Sequence, residues 1–184
     1  MNILLFVVSA FGLLAVLAAG SMAQSTVPGG SGVPASPQVG LSDRSAAALR
    51  TVASSNLFEI ESSRLALARS QSNAIKEFAD RMVGDHTRAA NRARQTLGEM
   101  GASLSPLMLE PSHQQKLDAL KAVDNPQFDK AYLEAQYTEH VEAIAVVREY
   151  ARSGDSERLK ALAAEALAVL QSHLDHVTRL RDQR

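Results

Sequence analysis

Between Ile75 and Met100 the side chains that avoid water return every three or four positions. The series runs Ile75, Phe78, Ala79, Met82, Val83, His86, Ala89, Ala90, Ala93, Leu97, Met100. Only an α-helix gathers such positions on one face, because about 3.6 residues make a turn. A stripe this long must be covered by other helices, and the chain supplies three more. The first opens with Ser42 as N-cap and Asp43 in its first turn, then carries Leu49, Val52, Ala53, Leu57, Ile60 and Leu67, with Asn56 and Glu59 along one edge. It ends near Ser70, as the second ends at Gly101. The third carries Leu133, Tyr137, His140, Ile144, Val147 and Ala151, with Phe128, Tyr132 and Gln136 beside that stripe. After a tight turn at Gly154, the fourth carries Leu159, Leu162, Ala163, Ala166, Leu170, His173, Val177 and Leu180. Strand-like alternation is absent, so the fold class is all-α.

Residues 101–126 form a long connection punctuated by Pro106, Pro111 and Pro126, with room for a short helix capped by Ser112 and running through Leu117 and Leu120. Two hairpins joined by a crossover of this length predict a ferritin-like four-helix bundle over residues 42–184.

The chain starts with an uncharged apolar run from Asn2 to Ala19, followed by Ser21-Met22-Ala23, small residues where a signal peptidase needs them. Residues 1–23 are read as a secretory signal cut after Ala23. The competing reading is an uncleaved membrane anchor, since the run is close to the ~17–25 residues that span hydrocarbon. Residues 24–41, rich in Pro, Gly and Ser and free of charge, read as a flexible tether. Either way the domain is expected outside the cytoplasm, periplasmic or secreted.

A formal net charge of −1 without a basic block argues against nucleic acid as a partner. A partner in the cell envelope, or self-association, stays open, and a membrane is a partner only if the leader is uncleaved. Cysteine is absent, which removes disulfides, thiolate metal sites and thiol catalysis. No GxSxG and no Gly-rich phosphate loop occurs, so no motif names a reaction or calls for an enzyme.

Three histidines, His86, His140 and His173, fall on the apolar stripes of three different helices. A core-facing imidazole is costly unless a hydrogen-bonding network or a metal takes it up. At ~1.5 Å of rise per residue, Glu59, His86 and His140 each lie ~20 Å from their hairpin turns and share one layer. His173, at ~29 Å, falls about a turn and a half off that layer, level with Tyr132, whose hydroxyl is the partner expected for it. A shift of the turn by a few residues would bring it in. The metal reading therefore takes Glu59, His86 and His140, with His173 as fourth ligand, around one zinc, copper or iron ion. His176 offers a further imidazole one turn on. Asp85 and Glu139 each precede a core histidine by one residue, so they point ~100° away and suit the role of partners to the ligands, or of partners between helices, better than that of co-ligands; Tyr132 is a further partner to the ligands. The competing reading is a structural or interaction module whose histidines only hydrogen-bond.

A di-iron carboxylate centre would need GluXXHis on two helices. The residues three before His86, His140 and His173 are Val83, Tyr137 and Leu170, and the one GluXXHis, Glu110-Pro-Ser-His113, lies in the connection.

The strings Phe58-Glu59-Ile60, Arg64-Leu65-Ala66, Phe78-Ala79-Asp80-Arg81-Met82-Val83, Asp85-His86-Thr87, Phe128-Asp129-Lys130-Ala131-Tyr132, Glu139-His140 and His173-Leu174 resemble domain-of-unknown-function family 4142, a family of exported bacterial proteins. The likeness covers the chain from about Ala53 to Leu180. It implies a ferritin-like bundle and an envelope address, and it implies no activity. Glu139-His140 stands where the family's recurrent pair is Asp-His.

Overall fold

The computed structural model of the protein describes residues 40–103 and 108–183. Among them are five helices and no strand: α1 (Asp43–Arg69), α2 (Asn73–Glu99), α3 (Pro111–Ala122), α4 (Asn125–Ser153) and α5 (Glu157–Asp182). The expected signal, residues 1–23, and all of the tether before Gly40 lie outside the described residues. No described helix is long and apolar enough to cross a membrane.

Each boundary has a local cause. Ser42, Ser72 and Ser156 cap α1, α2 and α5, their hydroxyls accepting from the amides of Ser45, Ile75 and Leu159. Helix α2 stops at Gly101, whose φ of 69° is the left-handed conformation that spares glycine. The amides of Gly101 and Ala102 then turn back onto the carbonyls of Gly98 and Leu97 at 3.0 and 2.9 Å, closing a Schellman motif. Helix α3 starts at Pro111 with Glu110 as N-cap, not Ser112, because a proline at the first helical position lacks only an amide that had no partner anyway. Gly154 has an ordinary φ of −59°. It is needed for closeness: a Cβ there would stand 2.6 Å from the Tyr150 ring and carbonyl.

Helices α1 and α2 pair as one hairpin and α4 and α5 as another. The hairpins meet with α1 against α4 and α2 against α5, while α3 lies over α1 and α4. The interior has two apolar ends. One gathers Phe78, Met82, Phe128, Tyr132, Leu133 and Val177 near the α1–α2 turn. The other gathers Leu97, Tyr150 and Leu159. His86, His140 and His173 lie between them along α2, α4 and α5.

The inner face of α1 departs from the sequence expectation. Its buried residues are Ser45, Ser54, Ser55, Phe58, Glu59, Ile60, Ser62, Ser63 and Ala66, whereas Val52 is exposed. The serines hydrogen-bond across to other helices, so a polar seam takes the place of the apolar stripe.

Candidate metal centre

His86 on α2, His140 on α4 and His173 on α5 are all buried and meet in one place. One ligand atom from each lies within 4.8 Å of the other two, and the ring centroids are 5.4–5.8 Å apart. The expected offset of His173 is absent, for two reasons. The α4–α5 turn is centred on Asp155, which brings the two residues closer in level. Side chains also lean toward the N-terminus of their helix, away from the turn on α4 and toward it on α5. The lean closes the gap that a count of Cα rise leaves open.

Each ring is held from outside by one nitrogen. Asn56 Nδ2 donates to the His86 carbonyl at 3.0 Å, which turns its Oδ1 toward His86 Nδ1 at 2.9 Å. Nδ1 therefore carries the proton. His140 Nδ1 donates to the Gln136 carbonyl at 2.8 Å, and His173 Nε2 donates to Asp85 Oδ2 at 2.8 Å. The nitrogens left over are His86 Nε2, His140 Nε2 and His173 Nδ1. In these tautomers all three carry lone pairs. His140 Nε2 and His173 Nδ1 lie 3.4 Å apart, and His86 Nε2 is buried with no hydrogen-bond partner among the described residues.

The electrostatics keep the rings neutral. Burial, reinforced by the other two imidazoles, holds His86 well below the ordinary histidine range. Burial lowers His140 to about 4 against the opposing pull of the Gln136 carbonyl. Burial also lowers His173, though the Asp85 carboxylate works against it. Asp85 itself is pushed up by partial burial, but the bond from His173 and the guanidinium groups of Arg81 and Arg88 bring it below the usual carboxylate range.

Other residues singled out from sequence have different places. Glu59 is fully enclosed, yet its Oε1 lies 3.4 Å from His140 Nδ1, the nitrogen already turned to Gln136, and it is not in the converging set. Burial and the nearby Glu139 carboxylate raise its pKa well above the usual range, against smaller effects of Gln136 and Lys116. Tyr132 does not reach His173; its hydroxyl lies 2.9 Å from Ser63 Oγ on α1. His176 packs edge-on against Phe78 at 5.1 Å and is likewise outside the set. Among the described residues Glu139 makes no hydrogen bond to the trio, though its charge works against the lowering of His140.

Glu139 belongs to a second buried network that sequence reasoning missed. Ser54 Oγ accepts from the Glu110 amide at 2.7 Å and donates to His113 Nδ1 at 2.7 Å. His113 Nε2 donates to Glu139 Oε1 at 3.0 Å, and Lys116 Nζ donates to Oε2 at 2.7 Å. The sequence signal was present in the Ser54-Ser55 and Ser62-Ser63 pairs, small polar residues repeating at helical spacing on α1.

A cavity of about 920 Å³ lies among the four long helices, reaching His86 and His173 at one side and His113 and Lys116 at another. Its other walls are chiefly alanine, valine and leucine.

An all-helical domain with three neutral imidazoles turned on one point is the class that fold and site define. The chain belongs to the family described as "Domain of unknown function (DUF4142)", whose model matches residues 31–180. No functionally curated protein matches the chain. A solved structure that it resembles is "Crystal structure of DUF305 fragment from Deinococcus radiodurans", with a TM-score of 0.66 and 14% identity over 82% of this chain and 99% of that one. At that identity the likeness speaks for the helical fold alone.

Proposed function

We propose that the protein is an exported, ferritin-like four-helix bundle that binds one transition-metal ion through His86 Nε2, His140 Nε2 and His173 Nδ1. The observation that carries this reading is the set of three inward lone pairs, each enforced by a proton committed to an outer acceptor. Lone pairs facing one another at 3.4 Å are unfavourable unless a cation sits between them. Two nitrogens bound at ~2.0–2.1 Å around a tetrahedral metal would stand about 3.3–3.4 Å apart, close to what His140 and His173 already do. Metal-bound histidines typically donate the other ring nitrogen to a carboxylate, a carbonyl or water. Here the outer acceptors are Asp85, Gln136 and Asn56. Three imidazoles without a thiolate suit zinc, copper or iron. Glu59, behind His140, would steady that ring rather than ligate. Three protein ligands would leave a coordination position for water or substrate, on the side where His86 and His173 border the cavity. The apolar leader supports an address outside the cytoplasm.

A structural module without metal is the second reading, and the outer hydrogen bonds favour it because they fix each ring without help. Elemental analysis separates the two. The protein, purified without a polyhistidine tag, is compared with a His86→Ala/His140→Ala variant whose helicity is checked by circular dichroism. A near-stoichiometric metal present in the first and lost from the second is the expected result. Absence of metal from both, after reconstitution with zinc, copper and iron, would overturn the proposal.

A further inference from the structure

The cavity beside the histidines has features that the metal alone does not require. Alanines recur along its walls on three of the long helices, where longer side chains would fill the space. Ala90 and Ala93 of α2, Ala143 of α4 and Ala163 and Ala166 of α5 line it, with Tyr150 and Leu159 at the end away from the histidines. The volume of about 920 Å³ is at the upper end of small-molecule sites, which run to roughly 1,000 Å³. The ionic groups along it are mostly matched. Asp85 pairs with Arg88, Glu165 with Arg92 at 3.7 Å, and Lys116 with both Glu139 and Glu142 at 2.7 Å. Among the lining charges, Glu110 and Arg94, one of each sign, make no ion pair among the described residues, and Arg94 bonds Asn91. Among the described residues, the one buried polar atom on this lining without a partner is His86 Nε2. Val52, Val146 and Val169, also on the lining, are exposed.

From this arrangement we infer that the cavity takes an uncharged, largely apolar small molecule with a single oxygen-bearing head, the body along the alanine walls and the head toward His86 and His173. Matched charges offer an ionic ligand no counter-ion, and burying an unpaired charge there would be costly. Apolar walls favour a hydrocarbon body over the water that would otherwise fill the space. The inference rests on the metal reading only for the head, which would occupy the open coordination position or, without metal, donate to His86 Nε2.

The test uses N-phenyl-1-naphthylamine, an uncharged apolar fluorophore, titrated into the full chain with and without bound zinc. Saturable binding to one site is expected. It should weaken by roughly tenfold or more in Ala93→Phe/Ala166→Phe, which fills the cavity, and in the milder Ala93→Leu/Ala166→Leu should the first not fold. Dodecanol should displace the probe, and dodecanoate should do so at least about tenfold less well. His86→Ala/His140→Ala should lose metal yet still bind the probe, while the filled variants should keep their metal. Probe binding that ignores the filling substitutions would overturn the inference, as would equal displacement by dodecanoate. A concentration-dependent dimer in sedimentation that excludes the probe would also overturn it, by making a second copy the occupant. None of these outcomes touches the metal reading, which stands or falls on metal content.

Discussion

Asp85 Oδ2 accepts a hydrogen bond from His173 Nε2 at 2.8 Å, joining α2 to α5, while the next residue in the chain, His86, is held by Asn56 on α1. Two consecutive residues thus reach in different directions and tie three helices to one point. The ~100° step between neighbours on a helix makes this possible.

Removing that carboxylate should loosen His173 without removing a ligand. Asp85→Ala is expected to lower metal affinity by about 10–100-fold with helicity intact, and Asp85→Asn, which keeps an acceptor, by less. Competition against a chromogenic chelator measures both. Affinities equal to that of the unaltered protein would refute a role for the Asp85 bond in metal binding.

Glu59 and the histidines oppose one another in the pH dependence of the metal-free protein. The imidazoles have folded pKa values below the unfolded value of 6.5, so the unfolded state takes up protons first and stability falls as pH drops from about 6.5 toward 4. Glu59 is raised, so its contribution is fully present below about 4.5 and is lost as pH rises through its folded pKa. Glu59 faces His140, Glu139, Lys116 and Tyr132 in this balance. Glu59→Gln should therefore raise Tm by a few degrees at pH 8, on the order expected for about 1 kcal/mol, and change it little at pH 4.5. A Tm difference that does not grow with pH would refute this account.

The network through α3 should matter for stability and not for metal. Glu139→Leu leaves the His113 N–H buried without an acceptor, and a cost of roughly 1–3 kcal/mol is expected by urea denaturation. Metal content should stay unchanged, and its loss would join the two networks functionally.

Two glycines should answer substitution with opposite signs. Gly154→Ala drives a Cβ into the Tyr150 ring and carbonyl, and should destabilise by about 1–3 kcal/mol. Gly98→Ala, in α2 with nothing within 4 Å of the new atom, should stabilise by roughly 0.5–1 kcal/mol. Thermal denaturation of both variants checks the pair.

The helices themselves were legible because caps and stripes are local. Ser42, Gly101 and the spacing of Phe78, Met82 and Leu97 act within a few residues of themselves. The histidine trio was legible as three polar intrusions on apolar faces. What the sequence concealed depends on direction and on partners across the interior. The level of His173 follows from how side chains lean, which a count along the helix axis ignores. Tyr132 was expected at His173 and lies at Ser63, because several polar residues compete for each partner and only the packing of α1 decides between them. Glu139 is an interhelical partner, but which helix it would reach depended on α3. His113 was set aside because a proline-containing connection promised no fixed orientation, yet Pro111 is what starts the helix that orients it.

At the start of α1, Ser42 and Ser45 both donate to Asp155 in the α4–α5 turn, and Tyr150 joins them through its hydroxyl. Those contacts lower the Asp155 carboxyl to about 2. The knot ties the start of the first hairpin to the turn of the second. Tension applied to the chain ahead of α1 would meet this cross-link before it reached the rest of the helix. Its load would pass into the turn between α4 and α5, sparing the histidines from the first strain.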